Sequence, residues 1–299
     1  MNFDFSEEQN LLREQARRFL DDNAEGKARK ILEGDEPFDY ELWQGMAELG
    51  WMGTVIPEEF GGTGLRHEDL CVLAEEIGRS LAPTPFSSSV YLATEAILLA
   101  GSEDQRADYL PRLAAGETVG CFAFGEGFKK PSADSISATF LNGKLSGTKY
   151  PVADGDVADF SVVLARTPDS GPLLVLASLD GVGLEPMETI DPSRSYAKLT
   201  FDDTPAEPLV GVGNGWGLTE RVLDRAAVLI AFEQLGGAQK CLELATDYAK
   251  NRFAFGRPIG SFQAIKHKLA DVYIATELAR SHAYYGAWAL TSDAPDLPV

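Results

Sequence analysis

Between Asn251 and Asp271 the chain reads NRFAFGRPIGSFQAIKHKLAD. Arg252, Arg257, Lys266, His267 and Lys268 are set against one acid, Asp271, in a protein whose formal net charge is -20. Phe253 and Phe255 stand beside the first arginine, and Gly256 and Pro258 bend the segment. A guanidinium matches phosphate in a two-pronged way, and an aromatic face packs on a ring system. The segment therefore suits a flat, anionic ligand. It also has the composition of a solvated helix–helix connection, the commoner fate of a charge run. Glu233, within AAVLIAFEQL, is a second chemical candidate. A carboxylate desolvated among Ala, Phe and Leu is tuned toward general-base work, although buried carboxylates more often make a structural hydrogen bond or ion pair. Asp224 and Arg225 read as helix-surface or interface charges. Cys71, Cys121 and Cys241 lie far apart, in apolar runs, without metal-ligand spacing; they read as buried free thiols and imply no metal.

These groups need elements to hold them. Residues 1–118 carry helix signals: Ser6 with Gln9 and Ser102 with Gln105 are capping boxes, and Asp39 can cap a helix bearing Trp43 and Met46 that Gly50 ends. Leu70, Leu73 and Ile77 mark a further helix. Pro57 to Gly64 is too Gly-rich for a regular element. Residues 119–212 change to short apolar strands with turn signals. Asn142-Gly143 predicts a two-residue hairpin, Pro168–Gly171 a second, and AKLTF at 197–201 a later strand, together a small sandwich or barrel. Residues 213–299 return to helix. One runs through 218–250 across Gly236-Gly237, where a neighbour can approach closely. Another starts at Ser261 and presents Ile265, Leu269, Val272, Thr276, Ala279, Ala283 and Ala287 as a core or subunit-packing stripe. The fold class is α+β, with a cleft expected where the three blocks meet.

A length of 299 residues suffices for two or three domains. The acidic balance argues against nucleic acid or an anionic membrane as a general partner. The opening MNFDFSEEQ has no basic region and no apolar core, and no apolar run approaches spanning length, so a cytoplasmic protein is expected.

The pieces, in this order, resemble the acyl-CoA dehydrogenases. MNFDFSEEQNLLREQARRFL is similar to that family's first helix, AELGWMGTVIPEEFGGTGL to its Gly-rich turn, and ISATFLNGKLSGTKYPVADGDVADFSVVLAR to its middle strands. NRFAFGRPIGSFQAIKHKLAD resembles its most specific signature. The resemblance implies an N-terminal helical domain, a central β-domain and a C-terminal four-helix bundle. It also implies FAD, whose isoalloxazine ring lies between β-domain and bundle. Arg252 would meet the FAD pyrophosphate of a neighbouring subunit, Phe255 would pack at the cofactor and Gln263 would contact its adenosine side. The implied reaction removes a proton from Cα of an acyl-CoA thioester and a hydride from Cβ. Reduced flavin then passes electrons to an electron-transferring flavoprotein.

Departures from the family pattern cluster at the chemistry. Gly125 stands where a flavin-bonding Thr is expected, with Phe122 and Phe124 keeping bulk nearby and backbone groups left to reach the ring. Pro151-Val152-Ala153 replaces an aromatic–aliphatic–hydroxyl run, with Tyr150 next door as a substitute aromatic. Ala226 and Ala227 occupy one family position for the catalytic glutamate and the adjacent arginine. The sequence stops before the segment that carries the base in most members, which leaves the bundle incomplete and Glu233 the remaining candidate base. A truncated enzyme, a short subunit of a heteromeric enzyme and a non-catalytic paralogue all fit. The joint loss of several positions favours the heteromer, an α2β2 assembly with a homologous partner, over a homotetramer. Such family heteromers act on bulky acyl-CoAs such as steroid side chains. The alternative is a flavin-free assembly partner of a full-length dehydrogenase.

Overall fold

Two local devices fix the outer helices of the first block. The structure is a computed structural model and describes residues 5–168, 171–209, 215–295 and 297. Ser6 Oγ accepts the Gln9 N–H at 3.2 Å while Gln9 Oε1 accepts the Ser6 N–H at 2.9 Å, opening α1 (Glu7–Asn23). Ser102 and Gln105 repeat the exchange and open α6 (Glu103–Ala114). Between them lie α2 (Lys27–Glu33), α3 (Tyr40–Glu48, capped by Asp39), α4 (His67–Ser80) and α5 (Glu95–Ala100). The Gly-rich loop holds one turn of 3-10 helix, Glu58–Phe60, where no regular element was expected. Ser87–Thr94, just before α5, wind as a π-helix. That conformation is rare and tends to mark functional regions.

The β-domain comprises β1 (Gly120–Ala123), β2 (Thr139–Leu141), β3 (Lys144–Ala153), β4 (Phe160–Thr167), β5 (Gly171–Ser178), β6 (Gly183–Pro186) and β7 (Tyr196–Pro208). The Asn142-Gly143 turn is left-handed at both residues, φ 53° and 77°, as a two-residue hairpin requires. β4 and β5 pair antiparallel down to Thr167 opposite Gly171; two residues of that turn, 169 and 170, lie outside the described residues. Pairings β4–β2, β2–β3, β3–β7, β7–β5 and β5–β4 form a closed circuit, so the domain is a barrel, with β1 and β6 attached at β4 and β7. Along β4, Phe160, Val162 and Leu164 pack on the α5–α6 side, while Val163 and Ala165 enter the barrel interior. Burial on both faces explains why these strands read as unbroken apolar runs.

The last block is α7 (Gly215–Asn251) and α8 (Gln263–Thr291), joined by the hairpin β8 (Phe253–Ala254) and β9 (Arg257–Pro258). α7 passes through Gly236-Gly237 without a break. A Cβ at Gly236 would stand 1.9 Å from the Glu75 carbonyl oxygen, and one at Gly78 2.0 Å from that of Glu233. The glycines let α4 and α7 cross backbone to backbone, the close approach expected of Gly236. Two sequence expectations are corrected here, at Ser261 and at Cys241. Phe262, not Ser261, is the N-cap of α8, because the Ser261 hydroxyl donates to the Pro258 carbonyl at 2.7 Å. Cys241 is exposed on α7, whereas Cys71 and Cys121 are buried as expected. The α8 stripe is buried only at Thr276, Ala283 and Ala287; Val272 and Ala279 face outward, with Tyr273, Ile274 and Leu278 exposed beside them. Among the described residues no helix is long and apolar enough to cross a membrane.

Candidate functional site

The signature loop is a hairpin with a strained tip, tied to the end of α7. The Arg252 N–H donates to the Tyr248 carbonyl at 2.8 Å and the Ile259 N–H to the Arg252 carbonyl at 2.8 Å, fixing where the loop leaves α7. Phe255 and Gly256 form its tip at φ 54° and 79°. A bulky aromatic in the left-handed region is a backbone outlier of about 1–3 kcal/mol, of the kind that gathers at ligand clamps. The Phe255 side chain is 95% exposed. Its ring meets Phe262 edge-on at 6.2 Å, and the Arg257 guanidinium lies 4.1 Å over the Phe262 ring. Arg252 and Gln263 are exposed as well. Phe262 brings no side-chain acceptor to the N-terminus of α8, and no acid lies in the first turn. The positive helix end favours an anion there. Arg252, Phe255 and Gln263 are all exposed, at the base of the hairpin, at its tip and at the start of α8.

A second group sits at the end of β1. Phe122 is buried and Phe124 half-buried, their rings 5.8 Å apart. The Gly125 carbonyl accepts the Tyr150 N–H at 3.0 Å, and the Gly127 N–H donates to the Tyr150 carbonyl at 2.9 Å. These bonds tie the end of β1 to β3. The Tyr150 side chain contributes an aromatic edge to Phe128, 6.1 Å away at 82°. Glu126 anchors the strand end, accepting from the buried Lys149 ammonium at 2.7 Å and from the Ala138 N–H at 2.9 Å. Those bonds hold its carboxyl below the usual range against the opposing effect of burial.

Glu233 does not stand as a free base. Its Oε2 accepts from Arg194 at 2.5 Å, and the Tyr91 hydroxyl faces it without hydrogen-bond geometry. Burial works against charge on Arg194, but Glu233 outweighs it and holds the guanidinium pKa above its ordinary value. The ion-pair reading of Glu233 therefore replaces the base reading. Arg194 also donates to Ser87 at 2.9 Å, so it joins the loop before β7, the π-helix and α7 beside a cleft of about 460 Å³. Behind it lies a polar group that sequence reasoning missed. Asp154, buried and left-handed at φ 52°, accepts from Ser88 and Ser195, and Ser195 also donates to Asp156 at 2.5 Å. Burial pushes the Asp154 carboxyl up to about 6, against the hydrogen bond from Ser88 and the nearby charge of Arg194. The Ser87–Ser89 run was the available signal.

Arg225 is corrected too. It is buried rather than superficial, pairing through Nε with Glu95 and lying 3.2 Å from His67 Nε2. Ala226 is buried, whereas Ala227 lines an apolar groove of about 830 Å³ between α7 and α8. Neither supplies a proton-accepting group.

Two family models match the sequence: "Acyl-CoA dehydrogenase, N-terminal domain" over residues 6–117 and "Acyl-CoA dehydrogenase, C-terminal domain" over 213–299. The acyl-CoA dehydrogenase IpdE2 of Mycobacterium tuberculosis is 35% identical over 277 residues, covering 92% of this chain and 74% of that protein. The chain belongs to the acyl-CoA dehydrogenase family. An acyl-CoA dehydrogenase of Bacillus subtilis is 33% identical, with 94% of this chain and 79% of that one covered. Among solved structures, the Tcur3481-Tcur3483 steroid ACAD G363A variant superposes with a TM-score of 0.83 at 35% identity, over 97% of this chain and 78% of that one. The ChsE4-ChsE5 complex of Mycobacterium tuberculosis gives 0.88 at 26% identity, over 98% and 80%. The helix–barrel–helix order of this acyl-CoA dehydrogenase chain is thus the architecture of its family.

Proposed function

We propose that this chain is an FAD-associated subunit of an acyl-CoA dehydrogenase that desaturates a bulky acyl-CoA thioester, working beside a homologous partner in an α2β2 assembly. The observation that carries the reading is the β8–β9 hairpin, with exposed Arg252 at its base, a strained, solvent-facing Phe255 at its tip and exposed Gln263 opening α8 beyond it. The residues fit one end of the cofactor better than the other. Arg252 and the acid-free start of α8 suit a diphosphate, and Gln263 offers amide contacts to an adenosine. At the ring end, Phe122, Phe124 and Gly125 supply bulk and backbone without the side-chain hydroxyl that the family pattern places there. Bound FAD would supply the hydride acceptor. This chain's residues would grip its diphosphate and adenosine across a subunit interface, with Arg194 and Glu233 closing the junction of barrel and helices. The steroid enzyme and the two-component complex among its structural relatives support a bulky thioester and a heteromer. Electron-transferring flavoprotein is the proposed oxidant of the reduced flavin. The domain limits 1–118, 119–212 and 213–299 are part of the same proposal.

Flavin absorbance tests it. The chain purified with its homologous partner is expected to carry flavin, and Arg252→Ala to weaken flavin retention about tenfold through the lost diphosphate contacts. Unchanged retention removes Arg252 from the site. No flavin in either preparation, alone or with the partner, leaves the assembly-partner role.

A further inference from the structure

Between β6 and β7, residues 187–195 form a loop that walls the cleft where the barrel meets the helices. Its turn closes on itself. The Ser193 N–H and hydroxyl both donate to Asp191 Oδ1, and the Met187 N–H donates to the Tyr196 carbonyl. Ile190 at its tip is fully exposed. Arg194 and Ser195 tie the loop to the body. Arg194 reaches Ser87 and Glu233. The Ser195 carbonyl accepts the Asp154 N–H at 3.0 Å. The Ser195 hydroxyl lies between two carboxylates, 2.5 Å from Asp156 Oδ1 and 3.3 Å from Asp154 Oδ1.

The protons at this junction are too few for its acceptors. A hydroxyl carries one proton. That of Ser195 is shared between Asp154 and Asp156, and that of Ser88 between Asp154 Oδ2 and the Pro85 carbonyl. Asp154 is 5% exposed, so solvent has little access to its oxygens. One further proton, on Asp154, removes the shortage. The carboxyl then donates to Ser195 Oγ, Ser195 donates to Asp156, and Ser88 donates to the remaining Asp154 oxygen. Ionisation withdraws that proton and sets two carboxylates against each other across Ser195. The other titratable and charged groups facing Asp154 are Arg194 from the loop and Cys121 from β1; Glu233 on α7 and Tyr91 on the π-helix face Arg194 from behind. Burial pushes the Asp154 carboxyl up to about 6, in agreement with the proton count.

We propose that Asp154 is a proton-operated catch for the 187–195 loop. Protonated, it closes the loop onto the barrel and the π-helix; ionised, it loosens the loop and opens the cleft beside Arg194 and Glu233. A carboxyl whose pKa is raised in the closed form and ordinary in the open form favours closure in acid and opening as the pH rises through about 6. The catch is independent of any bound cofactor and of the reaction proposed above.

Hydrogen exchange of the full chain tests it, read by mass spectrometry and corrected for the intrinsic pH dependence of amide exchange. The open-to-closed ratio of residues 187–196 is expected to be about tenfold higher at about pH 7.5 than at about pH 5. Asp154→Asn, neutral at every pH, should stay closed and lose that dependence. Asp156→Asn ends the contest for the Ser195 proton and should reduce the pH effect to a few-fold. Exchange in 187–196 that does not vary with pH overturns the proposal, as does a pH effect that survives in Asp154→Asn. An undiminished effect in Asp156→Asn also overturns it, because burial alone would then account for the titration. So does an equal pH effect on the paired amides of β4 and β5, which would report global stability rather than a catch.

Discussion

Replacing Arg225 by Ala is expected to cost about 3–5 kcal/mol of folding stability near neutral pH, among the largest effects of any single change in this protein. The Glu95 side chain is 4% exposed and spends one oxygen on Arg225 Nε and the other on His67 Nε2 at 3.0 Å. Burial alone would push its carboxyl pKa up; hydrogen bonds and charge from His67 and Arg225 overcome that and hold it below the ordinary carboxylate value. A group whose folded pKa is depressed contributes stability above its unfolded pKa of about 4.3 and loses it as the pH falls through the folded value. Removing Arg225 leaves Glu95 with His67 alone, so burial weighs more and Glu95 takes up a proton at higher pH. The deficit of the variant should therefore be largest at neutral pH and narrow in acid. Denaturant titration at several pH values reads this directly. The double change Arg225→Leu with Glu95→Leu should recover much of the loss, because the cost arises from an unpaired buried charge rather than from a missing attraction. A deficit that stays constant with pH and persists in the double variant would mean that Arg225 acts through packing alone.

Arg225 also shows where sequence reasoning stopped. Its partner lies 130 positions away, on a helix that reaches α7 only through the tertiary packing of α5 and the π-helix. Nothing local distinguishes Arg225 from Asp224, its partly buried neighbour on the same helix. Features settled within a few residues were legible: the capping boxes at Ser6 and Ser102, the Asn142-Gly143 turn and the Asp39 cap all form as their local chemistry dictates. The choice between sandwich and barrel was not legible, because it depends on β4 pairing with both β2 and β5. At the signature loop the residue types were readable, whereas the exposure of Phe255 and its left-handed backbone required coordinates. Glu233 lies between these cases. Its apolar sequence neighbours suggested an isolated carboxylate, but Arg194 arrives from the barrel, 39 positions away.

Asp154→Asn is expected to stabilise the protein by about 3 kcal/mol at about pH 7.5 and by only about 1 kcal/mol at about pH 4.5. The sign follows from the direction of the shift. The Asp154 carboxyl is pushed up to about 6 in the folded protein, chiefly by burial and further by the neighbouring Asp156, against the pull of Ser88, Arg194 and Ser195. An acid whose folded pKa is raised costs nothing below its unfolded value of about 3.9; its penalty grows as the pH rises through the folded value and is complete above it. A difference of about two units corresponds to about 3 kcal/mol. Asn removes the ionisation and fits the remaining geometry. It tolerates the left-handed backbone at φ 52° better than most residues. Its amide N–H can donate to Ser88 Oγ, which frees that hydroxyl to donate to the Pro85 carbonyl, 3.1 Å away. Its carbonyl oxygen can still accept from Ser195. Unfolding curves for both proteins across this pH range provide the measurement. A gain that does not depend on pH would mean that Asp154 is neutral throughout and that the benefit comes from hydrogen bonding. A loss at neutral pH would mean that the carboxylate, beside Arg194 at the barrel–helix junction, is held there for its charge.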